Sequence, residues 1–405
     1  MVQNFDVILI GGGAAGFFTA INIAEQNPKL KIAILERGRE VLTKVKISGG
    51  GRCNVTHACF IPNELVKFYP RGEKELKGPF NQFCSGDTIE WFAKHNVNLK
   101  IEEDGRMFPD TDSSQTIIDC FLKLAKKHQI QIINSQTVQA IFKAEDGWKI
   151  DTQNQNYKAQ KLVFTTGSNT KIWEMLQNHQ HKIIEPVPSL FTFNIKDKKL
   201  TDLMGIATPA TVKIIGTKLQ AQGPLLITHW GVSGPAILRL SAWGARDLAQ
   251  LNYNFNLQIN WLNDYETSEI EEEIKTLKIE NAKKTVYKKA PYNFPTRLWH
   301  YFLQKAEIPT QANWADLNKK NIQNLAKILT ADEYKVNGKS TFKDEFVTAG
   351  GIDLKEVNFK TMESKVLPNV YFAGEILNID AITGGFNFQN AWSTSYIAAQ
   401  HIANN

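Results

Sequence analysis

The sequence predicts an α/β fold whose opening domain is built on buried parallel strands. Three observations carry that expectation. A short apolar strand near the start runs straight into a glycine-rich turn. After Ser189 the strands change character and alternate apolar with polar residues. Near the end a buried strand returns, followed by a second helix opened by glycines.

The first strand is Val7-Ile8-Leu9-Ile10, a continuous β-branched run that suits a strand covered on both faces. Gly11-Gly12-Gly13-Ala14-Ala15-Gly16 follows, then a helical pattern from Phe17 to about Gln26. Gly11, Gly13 and Gly16 fit G-x-G-x-x-G. Gly11 permits the tight turn, Gly13 lets main chain approach a pyrophosphate, and Gly16 lets helix and strand pack closely. The exposed N–H groups at the helix entry, around Ala14 and Ala15, favour phosphate there. A second strand, Lys31 to Leu35, ends at Glu36, twenty positions after Gly16. A carboxylate at that point accepts from both hydroxyls of an adenosine ribose and repels a 2′-phosphate, which favours FAD or NAD over NADP.

Residues 44–57, KVKISGGGRCNVTH, come next. Gly49, Gly50 and Gly51 let N–H groups face a flat ring or a pyrophosphate without Cβ clashes. Lys46 and Arg52 can offset phosphate charge, and Ser48 and Asn54 can donate to ring carbonyls. Cys53 is the one redox-capable or nucleophilic candidate in the loop, set against the commoner role of a small buried thiol as inert packing.

Lys161 to Phe164 reads as a strand running into Thr165-Thr166-Gly167, a small-residue turn suited to lie beside the first glycine turn. Asn369 to Ala373 is a further buried strand, ended by Gly374-Glu375; Gly384-Gly385-Phe386-Asn387 then opens a helix-like stretch from Gln389 to Ser395. Reduced flavin carries negative charge on its pyrimidine edge, and a helix N-terminus aimed there stabilises it. Two glycine-opened helices at opposite ends of one chain therefore favour FAD. Glu375 would act there through a hydrogen bond or a bridging water.

Five segments together resemble the HI0933-like flavoproteins, also described as the bile-acid reductase and aminoacetone oxidase-like FAD family. They are KVKISGGGRCNVTH, Gly105 to Pro109, Thr228 to Pro235, Thr361 to Lys365 and GGFNFQNAWSTS. The resemblance spans nearly the whole chain. It implies a Rossmann-type FAD domain interrupted by an insert, made of a small antiparallel β-barrel and a helical part. The division it suggests is 1–188 and 346–405 for the FAD domain, 189–263 for the barrel and 264–345 for the helical insert. It also implies FAD contacts at Gly11, Gly13, Gly16, Glu36, Arg37, Gly51, Arg52, Val138, Gly167, Gly374, Glu375, Gly385 and Asn387, with Thr166, Gly50 and Phe386 beside them. His57, Asn378, Ala381 and Phe386 depart from the usual residues of that family.

In the middle section, Phe191 to Ile195, Thr211 to Ile215 and Asn254 to Asn260 alternate as half-exposed strands do, which fits the barrel. His229 lies there, before Gly231, and can supply a proton to a substrate atom or merely close a strand end. Beyond 264, acids at Glu269 and Glu271 to Glu273 precede Lys283, Lys284, Lys288 and Lys289, with Tyr287, Tyr292, Phe294 and Trp299 interleaved. Basic charge among stacking rings is what RNA binding uses, while a solvated helix face over core aromatics is the commoner outcome.

The 405 residues are 42% hydrophobic and 22% charged, ordinary for two or three globular domains. The four cysteines show no zinc spacing, and with no targeting segment or membrane-length apolar run the expected compartment is the cytoplasm. No second glycine fingerprint follows a strand, so NAD(P)H would bind transiently near the flavin. The expected function is an FAD-dependent oxidoreductase that passes hydride from NAD(P)H through flavin N5 to an electron-poor C=C, with uridine in ribosomal RNA as one acceptor. The alternatives are an oxidase of a small amine or ketone that uses dioxygen, and a non-catalytic flavin- or RNA-binding protein.

Overall fold

A computed structural model describes residues 2–340 and 347–405. The chain divides into two compact units, 1–187 with 343–405, and 188–342.

The first unit is built on a mixed sheet. Its spine runs, in spatial order, Val357–Asn358, Glu363–Ser364, Val370–Phe372, Asn156–Phe164, Gln3–Ile10, Ile32–Leu35 and Gln131–Ile133. The last five of these are parallel neighbours, and Ile8, Leu9, Ala33, Ile34, Leu162 and Val163 are fully buried among them. Register matters most. Ile10 stands opposite both Leu35 and Phe164, and Phe164 stands opposite Phe372. Four strands thus end side by side, and Gly11, Glu36, Thr165 and Ala373 leave the sheet along one carboxyl edge. That edge is where doubly wound sheets place their ligands.

The helix after the first turn is Ala14–Gln26, three residues longer at its start than the apolar pattern suggests. It packs against the C-terminal helix Phe386–Asn404: the Phe18 and Trp392 rings lie 5.1 Å apart, and the Ser395 hydroxyl donates to the Ala15 carbonyl at 3.1 Å. The two chain ends are therefore one packing unit. The triple-glycine segment is also partly helical. Thr43–Gly51 forms a helix interrupted at Ser48, and Gly49 and Gly50 then take left-handed φ of +57° and +68°. Glycine is what makes that reversal possible.

The second unit holds a closed antiparallel barrel of Thr192–Ile195, Gly231–Ser233, Gln220–Thr228, Ala207–Ile214, Asn254–Asn260 and Asp332–Ser340. The helices Thr267–Glu280, Thr296–Lys305 and Lys319–Thr330 share its core. One expectation is corrected here. The stretch 264–345 is not helical throughout, because Asp332–Ser340 closes the barrel against Thr192–Ile195 and Asn254–Asn260. Its alternation is real but hidden, since the first inward position is an acid: Asp332, Tyr334 and Val336 are buried while Glu333 and Lys335 are exposed. The expected boundary at 345/346 lies outside the described residues. Among the described residues no helix is long and apolar enough to cross a membrane.

Candidate functional site

The first turn is shaped by contacts that only glycine allows. A Cβ on Gly16 would sit 2.1 Å from the Gly11 carbonyl oxygen, and one on Gly11 would sit 2.6 Å from the Thr165 carbonyl oxygen. Gly13 is different: a Cβ there would meet nothing within 4 Å. So Gly11 and Gly16 serve the fold, while Gly13 keeps the entry to the first helix, at Ala14 and Ala15, open. Thr165 clamps the turn, its hydroxyl lying 2.9 Å from the Gly11 carbonyl and 3.1 Å from that of Ile10. Glu36 joins the turn to the second strand. It accepts from the Gly12 N–H at 2.8 Å and the Gly38 N–H at 2.7 Å. Each oxygen then keeps acceptor capacity for a ribose hydroxyl. Val138 is half-buried on the next segment, which the Gln136 N–H ties to the Glu36 carbonyl at 2.8 Å; Arg37 is exposed.

Thr166, Gly167 and Glu375 meet beside this turn, and a Cβ on Gly167 would lie 3.3 Å from a Glu375 carboxylate oxygen. That carboxylate is paired with Lys44 at 2.8 Å. The pair explains how an acid can stand near phosphate: a cation from the triple-glycine helix offsets it. Lys44 escaped the sequence reading because its partner lies 331 positions away. Thr166 Oγ1, one Glu375 oxygen, Asn378 Oδ1 and Asn390 Oδ1 are buried with no protein partner among the described residues.

The triple-glycine loop is tied to the second glycine-opened helix. With its amide oriented to satisfy its neighbours, Asn54 accepts from the Gly385 N–H at 3.0 Å and donates to the Thr56 and Met107 carbonyls at 3.1 and 3.3 Å. The Trp392 indole donates to the Val55 carbonyl at 2.8 Å, and Gln389 accepts from Thr56 and Thr88. Asn387 closes the preceding loop by both accepting from and donating to Ala381, and buried Asp380 is held by Arg71. Phe386 is buried in a three-ring cluster with Phe68 and His57, at 4.3 and 4.5 Å, and His57 Nδ1 lies 3.0 Å from the Gly384 carbonyl. Burial holds the His57 pKa below the ordinary imidazole value. At Gly50 and Gly51 a Cβ would meet nothing within 4 Å, so that face is open main chain.

The remaining expected residues have surroundings of their own. The Ser48 hydroxyl donates within the loop, to the Val45 carbonyl at 2.8 Å, and Asn54 is committed to protein partners as above. Arg52 lies over the Phe108 ring at 3.9 Å and pairs with Glu102 at 2.6 Å and Asp112 at 3.4 Å, so it anchors the loop to carboxylates. Lys46 is exposed. Cys53 is fully buried, and burial pushes its thiol up to about 12, which removes the thiolate that redox or nucleophilic chemistry requires. Cys53→Ala is accordingly expected to leave the rate of flavin reduction within about twofold of wild type; stopped-flow bleaching of the flavin band checks this. His229 belongs to the second unit, where it is exposed on a turn against the Trp230 ring. Of the rings interleaved with the lysines, Phe294 and Trp299 are buried and the Tyr287 hydroxyl donates to the Ile308 carbonyl at 2.9 Å, so they pack inward.

A dinucleotide fits this edge. The open approach over Gly13, Gly50 and Gly51, the two-oxygen acceptor Glu36 and the orphaned polar atoms of Thr166 and Glu375 all belong to one unit and gather where its parallel strands end.

The family described as the HI0933-like protein Rossmann domain matches residues 5–401. A ribosomal RNA dihydrouridine synthase from Escherichia coli (strain K12) is 28% identical over 99% of this chain and 98% of its own length. A 3-dehydro-bile acid delta(4,6)-reductase from Clostridium scindens is 24% identical over 98% of both chains. The crystal structure of a 3-ketosteroid-delta4-(5alpha)-dehydrogenase from Rhodococcus jostii RHA1 superposes with a TM-score of 0.52, covering 100% of this chain and 97% of that one at 11% identity, a likeness of fold alone.

Proposed function

The chain belongs to the HI0933-like family of Rossmann-domain flavoproteins, and from that premise we propose that it is an FAD-dependent reductase of an electron-poor C=C, with uridine in ribosomal RNA as the substrate. The overall change adds a hydride to one carbon and a proton to its neighbour. The observation that carries the reading is the convergence of both chain ends on one carboxyl edge, with Gly13 open and Glu36 positioned beside it.

FAD, when bound, supplies the ring that accepts and donates hydride. The chain's own residues hold and orient it. Glu36 would receive the ribose hydroxyls. The N–H groups entering the first helix, over Gly13, would receive the pyrophosphate. The Lys44–Glu375 pair keeps a hydrogen-bonding carboxylate near that charge without net repulsion. The start of the C-terminal helix, held by Asn54 and Gln389, would direct its positive dipole end at the flavin's pyrimidine edge. Electrons would come from NAD(P)H, bound transiently because the sequence has no second glycine fingerprint.

Uridine is favoured as acceptor because the relative named for ribosomal RNA is 28% identical against 24% for the one named for bile acids, both over essentially the full chain, and because residues 281–330 carry a net charge of +7. The test is the dihydrouridine content of ribosomal RNA from cells with and without this protein, measured by mass spectrometry of nucleosides. A dihydrouridine signal that disappears with the protein supports the reading. Unchanged RNA, together with a lost ability to reduce a conjugated steroid ketone, would move the substrate to the class named for the bile-acid relative.

A further inference from the structure

One stretch of this chain carries a large excess of positive charge. Residues 281–330 hold nine Lys or Arg against two Asp or Glu, a net of +7, whereas the whole chain carries +6. The rest of the chain sums to about −1, with its basic and acidic segments offsetting one another. Lys283, Lys284, Lys288 and Lys289 lie on a turn-rich strap between the helices Thr267–Glu280 and Thr296–Lys305, and all four are exposed.

The strap is held from beneath. The Val286 N–H donates to the Ala312 carbonyl at 3.0 Å, the Trp314 N–H to the Lys284 carbonyl at 3.0 Å and the Ala315 N–H to the Ala282 carbonyl at 3.1 Å. The Trp299 indole donates to the Val286 carbonyl at 3.0 Å and stacks on Trp314, and both rings are buried. The rings form the floor, and the lysines stand on the solvent side. None of the four has a carboxylate within ion-pair reach among the described residues; Lys284 reaches only the Asn281 amide oxygen, at 2.8 Å. Lys319 and Lys320 are exposed on the first turn of Lys319–Thr330, just after the 312–315 segment that pairs with the strap. Cations at a helix N-terminus oppose the dipole. Like charge gathered on a fixed surface, without internal neutralisation, weakens the fold and favours an anionic partner.

We propose that this strap grips the sugar–phosphate backbone of RNA. The inference rests on the reading that RNA is the substrate. With the aromatic rings committed to the floor, the surface offers ammonium groups and no stacking platform. It therefore positions RNA through phosphates and does not read bases.

The test measures binding of protein-free ribosomal RNA to the flavin-loaded full chain between 50 and 200 mM salt. Two variants with equal charge change are compared: Lys283→Glu with Lys284→Glu, Lys288→Glu and Lys289→Glu, and a control that reverses exposed Lys29, Lys127, Lys143 and Lys158. The strap variant is expected to lower the slope of log affinity against log salt by about 3, as loss of four phosphate contacts requires, and to weaken binding at least tenfold at the lower salt. Its flavin spectrum should match wild type, and the control should bind nearly as wild type does. RNA binding undiminished in the strap variant would overturn the inference while leaving the RNA reading intact. Equal loss in both variants would reduce the effect to net charge and overturn it. Equal loss of binding to polyglutamate would place an acidic protein on the strap instead. Absence of RNA binding by the wild type would also overturn it, while the dihydrouridine measurement judges the substrate reading separately.

Discussion

Gly13→Val is expected to give a folded protein that stays colourless. The backbone at Gly13 is extended, with φ −94° and ψ −168°, so a β-branched side chain adopts it without strain. An added Cβ meets nothing within 4 Å, so the cost to the cofactor-free fold should stay near that of placing valine at a helix N-cap, about 1–2 kcal/mol. The same side chain would hold a pyrophosphate away from the N–H groups behind it. Losing two hydrogen bonds to a charged group, at about 1.5–3 kcal/mol each, weakens FAD at least about a hundredfold. Gly16→Val should do the opposite of leaving the fold alone, because its Cβ would fall 2.1 Å from the Gly11 carbonyl oxygen. Thermal melting of the stripped protein, followed by FAD titration, separates the two variants. A Gly13→Val protein that retains wild-type flavin content would show that the turn holds no pyrophosphate.

Lys305→Met is expected to give the largest loss of stability in the second unit. Asp332 is buried at the start of the strand that closes the barrel, and burial alone raises its pKa. It accepts from Lys305 at 2.5 Å, from Tyr334 at 2.5 Å and from the Trp261 indole at 3.2 Å. The ammonium group also lies 4.1 Å from the centre of the Tyr334 ring. Removing the cation leaves an uncompensated buried charge, which costs about 3–5 kcal/mol. Pairing it with Asp332→Asn removes the charge as well and should recover more than half of that loss, with the amide oxygen still accepting from Tyr334 or Trp261. Urea denaturation of the two variants checks both numbers. Equal destabilisation of the single and double variants would mean that shape, and not charge, is what Lys305 supplies.

The parts of the fold that were legible are those in which one local signal suffices. The buried runs at Val7 to Ile10, Lys161 to Phe164 and Asn369 to Ala373 all lie in the parallel sheet, and Gly11 to Gly16 forms its turn where the glycines require it. Glu36 is legible because strand length and turn geometry set its distance from the first helix. What escaped depends on partners far apart in the chain. Lys44 meets Glu375, Arg71 meets Asp380, and Thr56 meets Gln389, each across more than 300 positions. The closing barrel strand was hidden by inward-facing Asp332, which reads as a surface residue until Lys305 is seen beside it. The rings near the lysines could not be sorted from sequence either, since burial of Phe294 and Trp299 depends on the helices packed over them. The glycine loop places Arg52 and Cys53 near a cofactor; their partners are not legible there, since Arg52 pairs with Glu102 and Asp112 far along the chain and Cys53 is fully buried.

The central claim is that residues from both ends of the chain hold one flavin nucleotide. A crystal structure of the protein loaded with FAD tests it most directly. The expected result is continuous density for a single cofactor, with its pyrophosphate at the Gly13 main chain, its adenosine ribose on Glu36 and its isoalloxazine ring beside Gly384 and Gly385. Density that places the ring away from residues 384–387, or the pyrophosphate away from residues 11–16, would contradict it.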